Sequence, residues 1–249
     1  MTTLKEKLKA GDIQRGCWLG LGGGASAEIA ATAGFDWCLI DAEHGAYDIA
    51  SIAEQARILG PDACVRIPAG QGWMVKQVLD LGLHTVVVPM VDTPEQAHDM
   101  ACAMRYPSPE FPNGTRGIAS ALVRASGYNQ DTDYLTQAND RVSLFVQAET
   151  VTALQNLEEI CAVDGVDGVF IGPADLAASM GHLHDLDAEP VQTAIDEALG
   201  VIVASGKIAG CLSFEAERAA HYEKMGARFV AVASDVALLG AALRWVASR

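Results

Sequence analysis

Short apolar runs rich in β-branched residues, each followed by an amphipathic helical stretch, recur from one end of this chain to the other. A run of this kind has no polar face, so it fits a strand covered on both sides, and its alternation with helices predicts a parallel sheet wrapped by them. Eight such units can be counted, with strands expected over residues 17–21, 37–41, 64–67, 85–90, 142–148, 168–171, 208–212 and 229–233. Between them lie helical stretches such as DIASIAEQARILG, WMVKQVLDLG and EAERAAHYEKMG, several ending on the glycine expected just past a helix. Eight repeats in 249 residues predict an α/β fold of the (β/α)8 or TIM-barrel type, as one domain over residues 1–249.

The charge balance narrows the partners. A formal net charge of -15 would be repelled by nucleic acid and by an anionic membrane surface, so neither is expected. The start, MTTLKEKLKA, carries no apolar targeting segment, and no run approaches the roughly 18 apolar residues of a membrane span. A cytoplasmic protein acting on small molecules is the expectation. The six cysteines, at 17, 38, 64, 102, 161 and 211, lie inside apolar runs without zinc-site spacing, and read as reduced core thiols.

One connection, residues 107–135, holds too much Pro, Gly and polar content for a regular element. Loops of that length usually serve function, so it is expected to border the site.

Barrel enzymes carry their chemistry at the carboxyl ends of the strands. After the second expected strand comes Asp41-Ala-Glu43-His44-Gly45, in which His44 is a candidate general base held by a nearby carboxylate. Arg66, inside the apolar run CVRI, must meet an anion: either a structural partner, Asp41 or Glu43, or a developing oxyanion, and the second reading is favoured. Period-2 alternation puts Gln147 and Glu149 on one face of the fifth strand. The sixth runs into Gly172-Pro173-Ala174-Asp175, where glycine permits close backbone approach and proline can open a helix whose first N–H groups could receive a small carboxylate. Glu149 and Asp175 thus end successive strands. Two carboxylates completed by water and substrate oxygens suit Mg²⁺ or Mn²⁺, although a helix cap and a surface ion pair would explain them as well. A competing motif, Gly20-Leu-Gly22-Gly-Gly-Ala25 with Asp41 at the end of the next strand, fits a dinucleotide fingerprint and is kept as the weaker alternative.

These residues sit in IDAEHG, VRIP, KQVLDLG, VVPMVDTPEQA, VQAET, GPADLAASMGHL and ASDVALL, in that order, and the chain so read resembles the HpcH/HpaI family of metal-dependent class II pyruvate aldolases over nearly its whole length. The resemblance implies that Glu149 and Asp175 bind a divalent metal ion (Mg²⁺, Mn²⁺ or Co²⁺). Gln147, the backbone at Gly172, Pro173 and Ala174, and Leu212 would hold the 2-oxo acid. Arg66 would stabilise an enolate, His44 would serve as acid and base with Asp41 in its motif, and Asp80 would increase that histidine's basicity from a neighbouring subunit. It further implies a homo-oligomer, typically a hexamer. The turn RYPSPEFPNGTRG is longer and richer in proline than the family's, at a place expected to touch the aldehyde.

The reaction implied is reversible cleavage of 4-hydroxy-2-oxo acids to pyruvate or hydroxypyruvate and an aldehyde. Two rivals stand beside it: a related barrel lyase acting on acyl-CoA or phosphorylated 2-oxo acids, for which no basic cluster is evident, and a non-catalytic metabolite- or nucleotide-binding barrel.

Overall fold

The computed structural model describes residues 2–249. Eight strands, β1 (Gln14–Leu19), β2 (Trp37–Asp41), β3 (Ala63–Arg66), β4 (Thr85–Val88), β5 (Ser143–Ala148), β6 (Gly168–Ile171), β7 (Ile208–Leu212) and β8 (Phe229–Ser234), pair in sequence order and close on themselves. Every pairing is parallel, including β1 with β8. The helices are α1 (Leu4–Lys9), α2 (Gly24–Thr32), α3 (Ile49–Leu59), α4 (Gly72–Asp80), α5 (Pro94–Met104), α6 (Tyr134–Arg141), α7 (Val151–Gln155), α8 (Leu157–Ala162), α9 (Pro173–Ser179), α10 (Glu189–Ala204), α11 (Ala216–Lys224) and α12 (Asp235–Ala247). The (β/α)8 barrel expected from the repeats is the observed fold.

Alternation along each strand divides the core in two. Leu39, Cys64, Val87, Phe145, Phe170 and Phe229 point into the barrel, where Leu4 and Leu8 of α1 plug its lower end. Ile40, Val65, Val86, Val146 and Val169 face outward onto the helices. Because successive side chains take opposite faces, Asp41 follows Leu39 inward, Arg66 follows Cys64, and Gln147 follows Phe145. The polar layer is therefore the upper storey of the apolar column beneath it.

Local chemistry fixes the helix starts. Thr93 accepts the Gln96 N–H while Gln96 accepts the Thr93 N–H, and Pro94 occupies the first turn of α5. Asp48 and Ser51 form the same reciprocal cap on α3.

Two expectations change. The closed barrel has no reversal of strand order, so the dinucleotide reading of Gly20 to Ala25 loses its crevice. The loop's Gly20 and Leu21 N–H groups donate instead to the Asp235 carboxylate, at 2.8 and 3.2 Å. The connection 107–135 contains a 3₁₀ turn (Arg124–Ser126) and delivers the chain into α6. It packs on α4, where Arg116 reaches Asp80 and Arg124 donates to the Leu81 carbonyl, and none of its residues lines the cavity at the barrel mouth. All six cysteines are free and buried, as expected. No helix of the described residues is long and apolar enough to cross a membrane.

Candidate active site

At the carboxyl end of the barrel a cavity of 310 Å³ is lined by Trp18, His44, Arg66, Gln147, Glu149, Phe170, Gly172 to Asp175, Leu212 and Phe214. The residues singled out from the sequence converge here from β2, β3, β5, β6 and β7, with two exceptions. Asp41 stands behind Arg66. Asp80 ends α4 and pairs with Arg116 Nη2 at 3.2 Å, outside the cavity of its own chain.

Arg66 is buried and fully engaged. Its Nε and Nη2 donate to Asp41 Oδ1 and Oδ2 at 2.8 and 2.7 Å. Its Nη1 lies 3.4 Å from Gln147 Oε1 and 2.7 Å from Glu43 Oε2. The Trp18 ring stacks under the guanidinium, 5.0 Å from its carbon, and the indole N–H donates to Asp41 Oδ2 at 3.0 Å. Burial works against the charged form of Asp41, but the hydrogen bonds and charge of Arg66, with the Trp18 N–H, outweigh it and hold the carboxyl below its usual range. The structural partners that sequence reasoning set against the oxyanion role are thus both present, and Nη1 is left as the nitrogen facing Gln147 and the cavity.

The Asp41-to-Gly45 turn is tight. The Gly45 N–H returns to the Asp41 carbonyl at 3.0 Å, and a Cβ at Gly45 would collide with that carbonyl and with the Tyr47 ring. Asp41 Oδ1 also accepts the N–H groups of Glu43 and His44. His44 is carried to the rim of the cavity, where its ring is largely exposed and Nε2 lies 3.8 Å from Glu43 Oε2.

Glu149 is 1% exposed. Its Oε1 accepts the Met90 N–H at 2.7 Å and its Oε2 accepts Gln147 Nε2 at 2.9 Å. Met90 supplies that N–H because Pro89 ends the β4 ladder and Met90 adopts a left-handed φ of 53°. Burial pushes the Glu149 carboxyl up to about 7; the Met90 N–H opposes this, and the charges of Asp175 and Glu43 add to it. Gly172 is required beside it, since a Cβ there would overlap Glu149 Oε2. Pro173 then opens α9, placing Asp175 in its first turn, on the cavity wall. Among the described residues no cluster of three or more His, Cys, Asp or Glu side chains has metal-binding geometry. What the cavity offers is one buried carboxylate, Glu149, and one exposed carboxylate, Asp175, beside a clamped guanidinium.

The chain matches a known family. The model of HpcH/HpaI aldolase/citrate lyase matches residues 14–242. The chain belongs to that family. It is 52% identical to the hydroxypyruvate/pyruvate aldolase of Deinococcus radiodurans, over 99% of this chain and 88% of that one. It is 44% identical to the 4-hydroxy-2-oxo-heptane-1,7-dioate aldolase of Escherichia coli, over 99% and 94%. Among solved structures, a HpcH/HpaI aldolase/citrate lyase family protein from Burkholderia cenocepacia superposes with a TM-score of 0.95 at 38% identity, covering 100% of this chain and 98% of the other. The protein is accordingly an enzyme of the aldolase type.

Sequence reasoning missed Trp18, Phe170 and Phe214. A lone tryptophan in an apolar strand reads as core; the signal available was its position on the inward face at a strand's end.

Proposed function

We propose that this aldolase reversibly cleaves 4-hydroxy-2-oxo acids, releasing pyruvate or hydroxypyruvate and an aldehyde, with a divalent cation held by Glu149 and Asp175. The observation that carries this reading is the meeting of Glu149, buried just past the end of β5, and Asp175, in the first turn of α9, on the lining of one cavity. The one cation facing these carboxylates, Arg66, is already held by Asp41 and Glu43, and two carboxylates completed by substrate oxygens and water suit Mg²⁺, Mn²⁺ or Co²⁺. When bound, such a cation supplies Lewis acidity toward the 2-oxo acid.

The chain's own residues account for the rest. Gln147 and the backbone at Gly172, Pro173 and Ala174 orient the 2-oxo acid, with Leu212 and Phe170 forming an apolar wall that excludes water. His44 takes the proton of the C4 hydroxyl, directly or through a water it orients. The C3–C4 bond breaks, the aldehyde leaves, and the electron pair passes through C3 to the C2 oxygen. Arg66, rigid in its clamp, meets the developing oxyanion through Nη1. A proton returned to C3 completes the product acid, and condensation runs the same steps backward. Arg66 is the one Lys or Arg side chain lining the cavity and two carboxylates already face it, which argues against multiply phosphorylated or CoA substrates.

The assembly belongs to the same proposal. Helix α12 has no buried residue and exposes Leu238, Leu243 and Trp245, an apolar surface that suits a homo-oligomer such as a hexamer. In that assembly Asp80, anchored by Arg116, would act on a neighbouring subunit's His44.

The test is pyruvate release from 4-hydroxy-2-oxo acids by metal-stripped protein, with and without Mg²⁺, Mn²⁺ or Co²⁺, beside a Glu149→Ala/Asp175→Ala double variant. Cleavage restored by metal in the parent and absent from the variant is expected. No cleavage with any metal or acceptor length would overturn the reading.

A further inference from the structure

Asp41 alone fixes the plane of the Arg66 guanidinium, since it engages Nε and Nη2 side-on. Glu43 adds a second carboxylate to the same cation, and it does so differently. Its Oε2 lies 2.7 Å from Nη1 yet completes no hydrogen bond, although the atom is shielded from solvent. The same oxygen lies 3.8 Å from His44 Nε2. A permanent anchor would be expected to share the directed geometry of Asp41, because a buried carboxylate oxygen without a hydrogen bond is costly. Glu43 also has somewhere to go. It lines a second cavity of 300 Å³, formed with Pro68 to Gln71, Pro89 to Val91 and the α5 residues Gln96, Asp99 and Met100.

We propose that Glu43 is a displaceable internal anion: it occupies Arg66 Nη1 in the empty site and yields that nitrogen to the substrate's reacting oxygen, turning toward His44 and the neighbouring cavity. Glu43 is then a positioning residue that acts through Arg66 and touches no reacting atom. It places a negative charge on Nη1 in a vacant site and so competes with substrate for that one donor. The inference rests on the reading of Arg66 as the cation that receives the oxyanion.

Competition has a signature that a structural role lacks. Oxalate, a small dianion with the shape of a 2-oxo acid enolate, serves as the probe, titrated calorimetrically into Mg²⁺-supplied protein. Glu43→Gln and Glu43→Ala should bind oxalate about tenfold more tightly, the size of one charge-assisted contact, and KM for the 4-hydroxy-2-oxo acid should fall with it. Glu43→Asp keeps the charge but draws the carboxylate back from Nη1, so it too should tighten binding. Unchanged or weaker oxalate binding in Glu43→Gln and Glu43→Ala overturns the proposal, and so does tightening in those two that Glu43→Asp does not share, which would mark simple charge repulsion. Arg66→Ala separates the two readings: if it binds oxalate as the parent does, the role of Arg66 fails, whereas weakened binding there with no response at Glu43 removes only the displaceable anion. Thermal melts confirm that each variant is folded.

Discussion

Asp41 and Arg66 are register partners on the adjacent strands β2 and β3, and their side chains meet inside the barrel as a side-on pair, Nε to Oδ1 at 2.8 Å and Nη2 to Oδ2 at 2.7 Å. Both are buried, so truncating Arg66 leaves Asp41 as an uncompensated charge, a loss of about 3–5 kcal/mol, while truncating Asp41 leaves Arg66 to Glu43 alone. Asp41→Ala should therefore cost stability as well as activity. Arg66→Lys is the sharper test of chemistry: an ammonium cannot reproduce the fork, so kcat/KM for aldol cleavage should fall by about 100-fold or more while the protein stays folded. Steady-state kinetics beside a thermal melt decide this, and a lysine variant with near-parental kcat/KM would remove the oriented guanidinium from the mechanism.

The Glu149 carboxyl titrates near 7 in the folded chain, against an ordinary value of 4.5. The folded state thus holds this proton more tightly than the unfolded state does, and its contribution to stability is greatest at low pH and is lost as pH climbs from 4.5 through about 7. The loss is on the order of 3 kcal/mol for the metal-free protein. A divalent cation should abolish it, and cation binding should strengthen with pH up to about 7, because the proton and the cation compete for one carboxylate. Urea midpoints across this pH range, with chelator and with Mg²⁺, test both statements. A metal-free protein that gains stability toward pH 7.5 in this comparison, and loses none of that gain in Glu149→Gln, would contradict them.

How much of this was legible follows from which signals are local. The strand repeat was: β2, β6 and β7 run over the residues expected, because each is a short apolar run closed by a polar or turn-forming residue. For β1 the expectation began at Cys17, whereas Gln14, Arg15 and Gly16 also pair with β8. Gly16 looks like a breaker in sequence but is required here, since the Trp37 indole lies where its Cβ would be. Polar residues at strand ends were legible, Gln147 and Glu149 through period-2 alternation and Arg66 as a charge inside an apolar run, and all three line the cavity. The Met90 N–H on Glu149 was hidden, because it depends on a left-handed residue beyond Pro89. Glu43 was legible as a partner for Arg66, but only the folded turn shows its Oε2 near Arg66 and His44 at once.

Gly172 offers a test of how closely the carboxylate is packed. A methyl group there overlaps Glu149 Oε2 and crowds its Cβ, and that side chain is buried with both oxygens hydrogen-bonded, which leaves it little room to yield. Gly172→Ala should cost about 1–3 kcal/mol of stability through overpacking. It should also abolish the stabilisation that a divalent cation gives the parent, because Glu149 must turn from its Met90 and Gln147 partners. The readout is the shift in melting temperature on adding Mg²⁺ or Mn²⁺; a shift equal to the parent's would show that Glu149 relaxes without losing its place.

His44 allows the proposed base to be tested apart from the proposed cation site. Its ring stands at the rim on the turn after β2, while Glu149 and Asp175 come from the end of β5 and the start of α9. His44→Ala should accordingly leave cation-dependent melting as it is in the parent and lower kcat by about two orders of magnitude, the usual contribution of a positioned general base. The ring is exposed and makes no hydrogen bond to a buried group, so little stability should be lost with it. Turnover measured across pH with one 4-hydroxy-2-oxo acid, in parent and variant, decides between a side-chain base and a solvent one. A flat loss at every pH would mark His44 as orienting a water, a loss that grows as the parent's base becomes deprotonated would mark it as the base, and near-parental turnover would transfer the role to a bound water alone.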